Sequence, residues 1–587
     1  MPHNDGELED HDEDENEIDE EVEYEFTDIS GYNLPPGVLK ATRAAKADPK
    51  NDDAVLDLAL ELDQIGDSEH ADFFRAVVEQ HRPNLPPGEW RRHLARGMEL
   101  SNAKHEEWFG RLSRRAGGWH STQRGFPDVM CYDGDLVDEG DTGLGNLSTS
   151  RGWPWGGQLT VLHRSDFSGA EVVRRLLELP MLAEVFDLNL NLNKMDGPTA
   201  TTLGKSKSVA HLRGLHLHQT NLSAPAVKAL IESPVIKNLL SFSVFADGPG
   251  LAAVAAAEGL KAIRELRIRG DKLTPKDWIK LGNSPHLTEV RSLDVGETPL
   301  NAEGMAALAS TPLMARVESL TIGGVADPDG AATSLAASPN AANLRELNCP
   351  RTYQFQMTSA GMIALAASPY LGNLRALDLS IAAVKADGIK ALAKSKTLTG
   401  LERLLMRYNP LGAAGGKALA GSPVFARLTD LRLGNCNLGA AGGAAVANSP
   451  HLSGLRVLNL SGNGMTNTAV EGIVRPGAFD HLRALILGYN KIDDAGVEML
   501  ANADHFTDLG VLDLAGQGQT SVVSSRHGKL LTKSAIDTLI KSESLKELAA
   551  LSLQGNAAAL PRRADLAERF GKRVHCTHSP PEVAMHQ

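Results

Sequence analysis

LERLLMRYNPL (Leu401–Leu411), LTDLRLGNCNL (Leu428–Leu438), LRVLNLSGNGM (Leu455–Met465) and LRALILGYNKI (Leu482–Ile492) are one phrase written four times, L-x-x-L-x-L-x-x-N-x-L, at a period of 27 residues. Outward from these copies, the phrase starts at 185, 212, 239, 263, 290, 317, 344, 374, 401, 428, 455, 482, 509 and 548, with a degenerate unit at Leu159. A unit this short cannot bury its own apolar face, so it buries it against the next copy; a fixed period of this length therefore predicts a solenoid.

Each unit carries two patterns. L-x-x-L-x-L alternates like a strand, which sends its leucines to one face and the intervening residues to the other. The stretch that follows, such as GAAGGKALAGSP, is Ala-rich and stops at Ser or Thr before Pro, as at Ser233, Ser284, Thr311, Ser338, Ser368, Ser422 and Ser449. It predicts a helix that proline ends. A strand and a helix per unit give an α/β fold, a curved horseshoe with parallel strands on the concave face and helices on the convex face. Fourteen repeat strands at ~4.8 Å would make an inner arc of roughly 65 Å. The amides at the ninth position (Asn193, Asn409, Asn463, Asn490 and Asn556) are expected to satisfy buried turn backbone. In the copy from Leu455, Leu458 and Leu460 should face inward and Asn459 outward.

Residues 1–30 hold 15 of the 73 Asp and Glu and no Lys or Arg, which leaves 58 acids against 59 bases in the rest of the chain. This segment is expected to be a disordered acidic tail, too charged to repay the entropy of ordering. Residues 31–116 read as a helical unit: Val55, Leu58, Ala59 and Leu62 form a stripe after Asp52-Asp53, Gly66-Asp67-Ser68 breaks it, and Phe73, Val77 and Val78 resume it. A further helix carries Trp90, Leu94 and Met98. Residues 117–157 read as a loop-rich linker or N-terminal cap, interrupted by FPDVMCY; the array follows over 158–560, and 561–587 make a C-terminal cap and tail. Five of the six tryptophans precede residue 156, which points to a separately packed N-terminal unit.

The long repeat with a helical return resembles the ribonuclease-inhibitor class of leucine-rich repeats, and its G-x-x-A-L-A-x-S-P wording is similar to bacterial members. Ala47–Arg75, with an acidic turn, a helix, Gly-Asp and a second helix ending near Phe-x-Arg, resembles the bacterial repeat-companion domain that precedes such arrays. Here LALEL stands where that family has an aromatic-containing pattern. LAERFGKRVHC from Leu566 resembles the family's C-terminal cap. The resemblance implies interaction proteins with no defined reaction.

The chain contains no P-loop, G-x-S-x-G, H-E-x-x-H or dinucleotide fingerprint, and its four cysteines (131, 349, 436 and 576) form no C-x-x-C pair. Cys349 and Cys436 occupy apolar and ninth positions and read as packing thiols. No catalytic residue, cofactor or metal is expected, and the cysteine usage suggests a reduced, cytoplasmic setting. No apolar run is long enough to span a bilayer.

Recognition should then fall on the outward strand positions. The expected protein-binding face comprises His216, His218, Phe245, Arg264, Arg267 and Arg269, followed by Arg403, Arg407 and Arg432. Arginines at the second position (Arg213, Arg264, Arg291, Arg345, Arg375, Arg456 and Arg483) recur regularly enough to read as a structural ladder. The near-neutral body and a strand face poor in aromatics argue against nucleic acid and for a protein partner, acidic if the arginines bind it. The leading function is a non-catalytic protein-binding scaffold or inhibitor. The alternative is an enzyme or enzyme subunit with its site in the N-terminal unit or the 117–157 loop. Insertions near 350–358 and 516–533 could border the binding surface.

Overall fold

In the computed structural model, the structure describes residues 34–109, 126, 129–132, 157–162, 169–349, 356–518 and 530–576, apart from 49, 83–84, 87, 180–181, 183 and 572–573. The acidic tail, most of 117–157, the core of both insertions and the last eleven residues lie outside them.

One sheet of 17 parallel strands runs through the array. Its strands are β1 (Val129–Tyr132), β2 (Gln158–Leu162), β3 (Asp187–Asn189), β4 (Gly214–Leu217), β5 (Ser241–Phe245) and β6 (Glu265–Arg269). They continue as β7 (Ser292–Asp294), β8 (Ser319–Thr321), β9 (Glu346–Asn348), β10 (Ala376–Asp378), β11 (Arg403–Leu405) and β12 (Asp430–Arg432). The last are β13 (Val457–Asn459), β14 (Ala484–Ile486), β15 (Val511–Asp513), β16 (Ala550–Ser552) and β17 (Val574–His575). Each strand pairs with its successor in the chain, and fourth-position leucines align from copy to copy, Leu431 with Leu458 and Leu458 with Leu485. β3 to β16 are the repeat strands expected from the phrase, and β2 is the degenerate unit at Leu159.

The sheet outruns the repeats at both ends. β1 comes from FPDVMCY, within the segment read as mainly loop, and pairs with β2 from Val129↔Leu159 to Tyr132↔Leu162. β17, from the cap, pairs with β16. Neither has the leucine spacing, because an edge strand needs only backbone pairing on one side.

Two polar ladders hold successive turns together. Asn490 donates through Nδ2 to the Leu460 and Leu487 carbonyls (3.0 and 2.8 Å), and its Oδ1 accepts from the Asn463 and Met465 amides (3.0 and 3.1 Å). Asn463 does the same one repeat earlier, bonding the Leu433 and Leu460 carbonyls and the Cys436 and Leu438 amides. The amide role expected at the ninth position is therefore present. The second ladder was not legible as such. The serine before proline does more than end a helix: Ser338, Ser368 and Ser449 each donate 2.7 Å bonds to Ala309, Ala336 and Ala420, carbonyls at the end of the previous repeat's helix. These orphan carbonyls need a donor because the helix supplies none.

Small residues let the helices behind the sheet approach. A Cβ on Gly416 would stand 2.9 Å from the Gly442 carbonyl oxygen, so the GAAGG motif admits no larger residue there without movement.

The N-terminal unit is α1 (Pro36–Ala47), α2 (Asp52–Gln64), α3 (Ser68–Glu79) and α4 (Glu89–Phe109). Asn51 rather than Asp52 caps α2, accepting from the Ala54 amide, with Asp52 and Asp53 in the first turn. The stripe residues Val55, Leu58, Ala59 and Leu62 are fully buried. His70 stacks on Trp108 with ring centroids 4.2 Å apart, tying α3 to α4.

This unit is more than a terminal cap, because it touches both arms of the array. Near β3, Arg43 Nε donates to Glu184 Oε2 at 3.0 Å and Lys46 Nζ to the Glu184 carbonyl at 2.6 Å, with Lys46 over the Phe186 ring. Near β6, Lys50 pairs with Glu265 at 2.7 Å. On the other arm, Trp90, Leu94 and Met98 of α4 form an apolar cluster with Val457, Ala484, Ile486, Val511 and Ala550 of β13 to β16.

Candidate protein-interaction face

Within a repeat, positions one, four and six point into the core and positions two, three, five and seven point outward. The outward side chains divide the concave face into three stretches.

Over β4 to β7, the residues expected to form a basic cluster are brought together, but with their own counter-charges. Asp294 at position five is clasped by two arginines. Arg269 bonds both carboxylate oxygens (2.8 and 2.9 Å), and Arg267 Nε reaches Oδ2 at 2.8 Å. Burial would raise the Asp294 pKa, but the bonds and charge of Arg269, with Arg267, outweigh it and hold the carboxyl below its usual range. Arg269 is buried, so its expected projection toward solvent is corrected: its guanidinium lies along the sheet to satisfy Asp294. Arg267 keeps 48% of its side chain exposed. His216 Nε2 stands 3.1 Å from Asp187, and His218 Nε2 3.6 Å from Glu297. Burial, reinforced by Arg269, keeps the His218 pKa below that of a free imidazole. Phe245, half-buried, lies beside Arg269 in the strand register.

Over β9 to β12 the second group is distributed differently. Arg403 reaches past β10 to Glu346, 2.6 Å away, over the small Ala376 between them. Arg432 is also buried and folds back on Asp430 of its own strand through Nε and Nη2 (2.9 and 2.8 Å), so its expected exposure is corrected too. Arg407 at position seven is part-exposed, and its buried Nε lacks a hydrogen-bond partner among the described residues. The two groups are separated along the sheet and do not form one basic site.

Arg264 belongs to neither. It sits at position two on the rim, 61% exposed and 3.9 Å from Asp48 of the helical unit.

Over β13 to β16 the face is occupied by α4. Arg483 lies under Trp90, guanidinium carbon to ring centroid 5.1 Å, and burial brings its pKa down to about 10. A Cβ on Gly510 would stand 2.9 Å from Trp90 Cζ3, so the glycine is what lets the indole down onto the strand. Sequence reasoning missed Trp90, Leu94 and Met98 as a concave-face element. The available signal was the third outward position, which turns apolar at Val457, Ala484, Val511 and Ala550 after mostly polar residues in the earlier copies.

Asn459, expected to project freely, is buried, and its Oδ1 accepts from the Ser461 amide and hydroxyl (3.0 and 2.8 Å). Cys349 and Cys436 are buried, as packing thiols should be; burial pushes the Cys436 pKa up to about 12, far from a nucleophile's range. Among the described residues no group of three His, Cys, Asp or Glu could hold a metal ion, and no helix is long and apolar enough to cross a membrane. The insertion residues 350–355 and 519–529 lie outside the described residues.

A family model described as leucine-rich repeat matches residues 451–474 and 481–501. No curated protein matches the chain. Among solved structures, it is similar to a chain of the yeast Rad7–Elc1 complex, at 14% identity over 62% of this chain and 80% of that one, with a TM-score of 0.37. It is also similar to an internalin (inlF) of Listeria monocytogenes, at 15% identity over 65% of this chain and 93% of that one, with a TM-score of 0.34. The leucine-rich repeat solenoid itself is fixed by the strand order and register described above.

Proposed function

We propose that the protein is a non-catalytic protein-binding scaffold that uses the stretch of concave face between the two footprints of its helical unit, centred on β10 and β11. One observation carries the reading. Ile381 and Tyr408 occupy the eighth position of adjacent repeats with φ of 60° each, and are 38% and 51% exposed. The same position is left-handed in most other repeats as well, filled by Gly324, Gly462, Gly516 and Gly555 and by Leu192, Gln219, Glu297, Asn435 and Tyr489; Ile381 and Tyr408 stand apart as exposed apolar side chains in two adjacent repeats. A bulky side chain held left-handed costs roughly 1–2 kcal/mol, and two that are this exposed gain little packing in return. The repeat's own turn sets this backbone, so the support comes from apolar exposure kept side by side in two repeats, which favours use in binding.

Arg403 and Arg407 flank the pair and would meet an acidic or polar rim on the partner, while the buried Arg269 and Arg432 are spent on Asp294 and Asp430. Kinship with bacterial ribonuclease-inhibitor-like arrays that carry a repeat-companion domain, and a cytoplasmic setting, complete the proposal. The repeat wording, the four-helix N-terminal unit and the scattered cysteines support them. The test is a pull-down with the double variant Ile381→Gly/Tyr408→Gly. It should melt no lower than wild type, because glycine relieves the left-handed strain, yet lose captured protein. Unchanged capture by the folded variant would refute this placement of the face.

A further inference from the structure

Seven repeats place an arginine at the second position, and five of those arginines have a partner. Arg213 donates to the Asn238 carbonyl at 3.1 Å, and Arg264, Arg291, Arg345 and Arg375 stand between 3.5 and 3.9 Å from Asp48, Glu289, Glu318 and Glu402. Arg456 and Arg483, which lead into β13 and β14, are different. They are side by side, the Arg483 amide donating to the Arg456 carbonyl at 2.7 Å, and among the described residues neither guanidinium has an ion pair or a hydrogen bond. Arg91, from the first turn of α4, comes down beside them. A Cβ on Gly510, the second position of the next repeat, would stand 3.5 Å from Arg91 Cγ, and the Arg91 guanidinium too has no such partner among the described residues. The Nε atoms of Arg91 and Arg483 are buried and unpartnered. Trp90 meets Arg483 through its ring, a cation–π contact that engages no N–H. Like charges gather here at a cost. Burial, reinforced by Arg456, brings the Arg483 pKa down to about 10, and only the charge of Asp508 counters it. Asp508 is itself engaged, accepting from the Gly88 amide. A cation in the first turn of a helix also faces the positive end of the helix dipole.

We propose that Arg91, Arg456 and Arg483 form a binding site for a phosphate group, which bridges the first turn of α4 to β13 and β14. Charge sets the class of ligand. Three guanidiniums against the single carboxylate of Asp508 leave two positive charges unmatched, and a phosphate monoester carries about −1.5 to −2 near neutral pH. Donor geometry agrees, because a guanidinium presents its N–H groups in a planar fork that fits phosphate oxygens. With the indole against its face, Arg483 keeps the edge of that fork for a ligand. All three side chains are part-exposed, so the ion reaches them from solvent, while the inner nitrogens of Arg91 and Arg483 lie out of water's reach. With the phosphate bound, α4 is clamped to the far arm by charge as well as by apolar contact. Without it, the cluster around Trp90, Leu94 and Met98 must hold α4 against the repulsion of three arginines. The grip of the helical unit on the array therefore depends on a phosphate ligand. This inference concerns the footprint of α4 and stands whether or not the face at β10 and β11 proves to be the recognition surface.

Hydrogen exchange of the full-length protein in inorganic phosphate, against chloride at the same ionic strength, tests the site. A ligand at roughly ten times its Kd slows opening of the state that binds it on the order of tenfold, so in saturating phosphate the amides from Trp90 to Met98 should exchange about tenfold more slowly while those of β8 to β12 do not change. O-Phosphoserine is the second probe. Protection by inorganic phosphate alone assigns the site to the free ion, and protection by O-phosphoserine assigns it to a phosphate monoester. The variant Arg91→Ser/Arg456→Ser should exchange α4 at one rate in all three solutions, and no faster in chloride than the wild type does, since it removes repulsion and breaks no pair. Equal wild-type rates in phosphate, O-phosphoserine and chloride would overturn the proposal, as would acetate protecting α4 as well as phosphate does, because the charge match calls for a dianion. Phosphate protection that survives in the folded variant would also overturn it, by placing the ion elsewhere. Should the variant fail to fold, the wild-type comparison still decides, because a general salt effect slows β8 to β12 along with α4 and a bound ion does not.

Discussion

Trp90, the second residue of α4, lies over Arg483 on the rim of β14, with 5.1 Å between the guanidinium carbon and the ring centroid. The pair joins residues nearly four hundred positions apart and fixes the helical unit to the far arm of the array. Replacing Trp90 by Ala removes the largest member of the apolar cluster and should cost about 3 kcal/mol locally. Hydrogen exchange of the α4 amides is the readout: α4 should lose protection while β8 to β12 keep theirs. Uniform loss across the sheet would mean that α4 is part of the solenoid core and not a separately docked element.

Gly510→Leu probes the same contact from the strand side. A side chain there meets Trp90 at once, the built Cβ already being 2.9 Å from Cζ3. The substitution should reproduce the exchange pattern of Trp90→Ala without altering the pairing of β15, because position two points out of the core. A variant with α4 still protected would show that the indole does not rest on this strand.

The solenoid register makes a sharper energetic prediction. Leu458 is fully buried in the core, so Leu458→Ala should cost roughly 2–5 kcal/mol. Asn459→Ala should cost less, about 1 kcal/mol, for the bonds it accepts from Ser461. Asn490→Ala should resemble the leucine, since it takes from the buried Asn463 and Met465 amides their acceptor, at ~1–3 kcal/mol per group before relaxation, while the Leu460 and Leu487 carbonyls keep bonds from Asn463 and Gln517. Chemical denaturation orders the three; an Asn459 variant as damaged as Leu458→Ala would shift the proposed strand by one residue.

Lys46 gives the junction at β3 a pH dependence. Burial, only partly offset by Glu184, brings its pKa down from 10.5 to about 7. A depressed amine binds fewer protons in the folded than in the unfolded chain between those values, so stability rises with pH from about 7 to about 10 and is lost as pH falls through 7. Lys46→Met should flatten that rise, which is on the order of a few kcal/mol at most. Denaturation midpoints of wild type and variant at pH 7 and pH 10 measure the difference; parallel behaviour would mean that Lys46 is not buried at the junction.

The strands were legible because a period of 27 residues repeats the same inward leucines, and the ninth-position amides because only a polar residue with a turn to satisfy persists in an apolar frame. The helices of the N-terminal unit were legible from the Val55–Leu62 stripe. Where the unit docks was not, because a contact between Trp90 and Gly510 leaves no local periodicity: Trp90 reads as the apolar face of a helix and Gly510 as a variable outward position. The arginines failed differently. Sequence places Arg269 and Arg432 on the outward face, but whether a guanidinium points to solvent or bends along the sheet depends on Asp294 and Asp430, and cross-strand neighbours are visible only once the register is known. FPDVMCY reads only as an apolar interruption of a loop-rich segment, because it lacks the leucine spacing that an edge strand such as β1 does not need.

The helical unit spans the concave side and touches both arms at once, and the contact that reports this most directly is Lys50 with Glu265, 2.7 Å apart on opposite sides of the junction at β6. Zero-length carbodiimide coupling of the full-length protein, followed by peptide mass spectrometry, should yield an amide between Lys50 and Glu265, and much less of it in Trp90→Ala, where the far anchor is gone. Absence of that cross-link in the wild-type protein, with couplings inside the helical unit such as Lys104 to Glu69 still formed, would contradict the account.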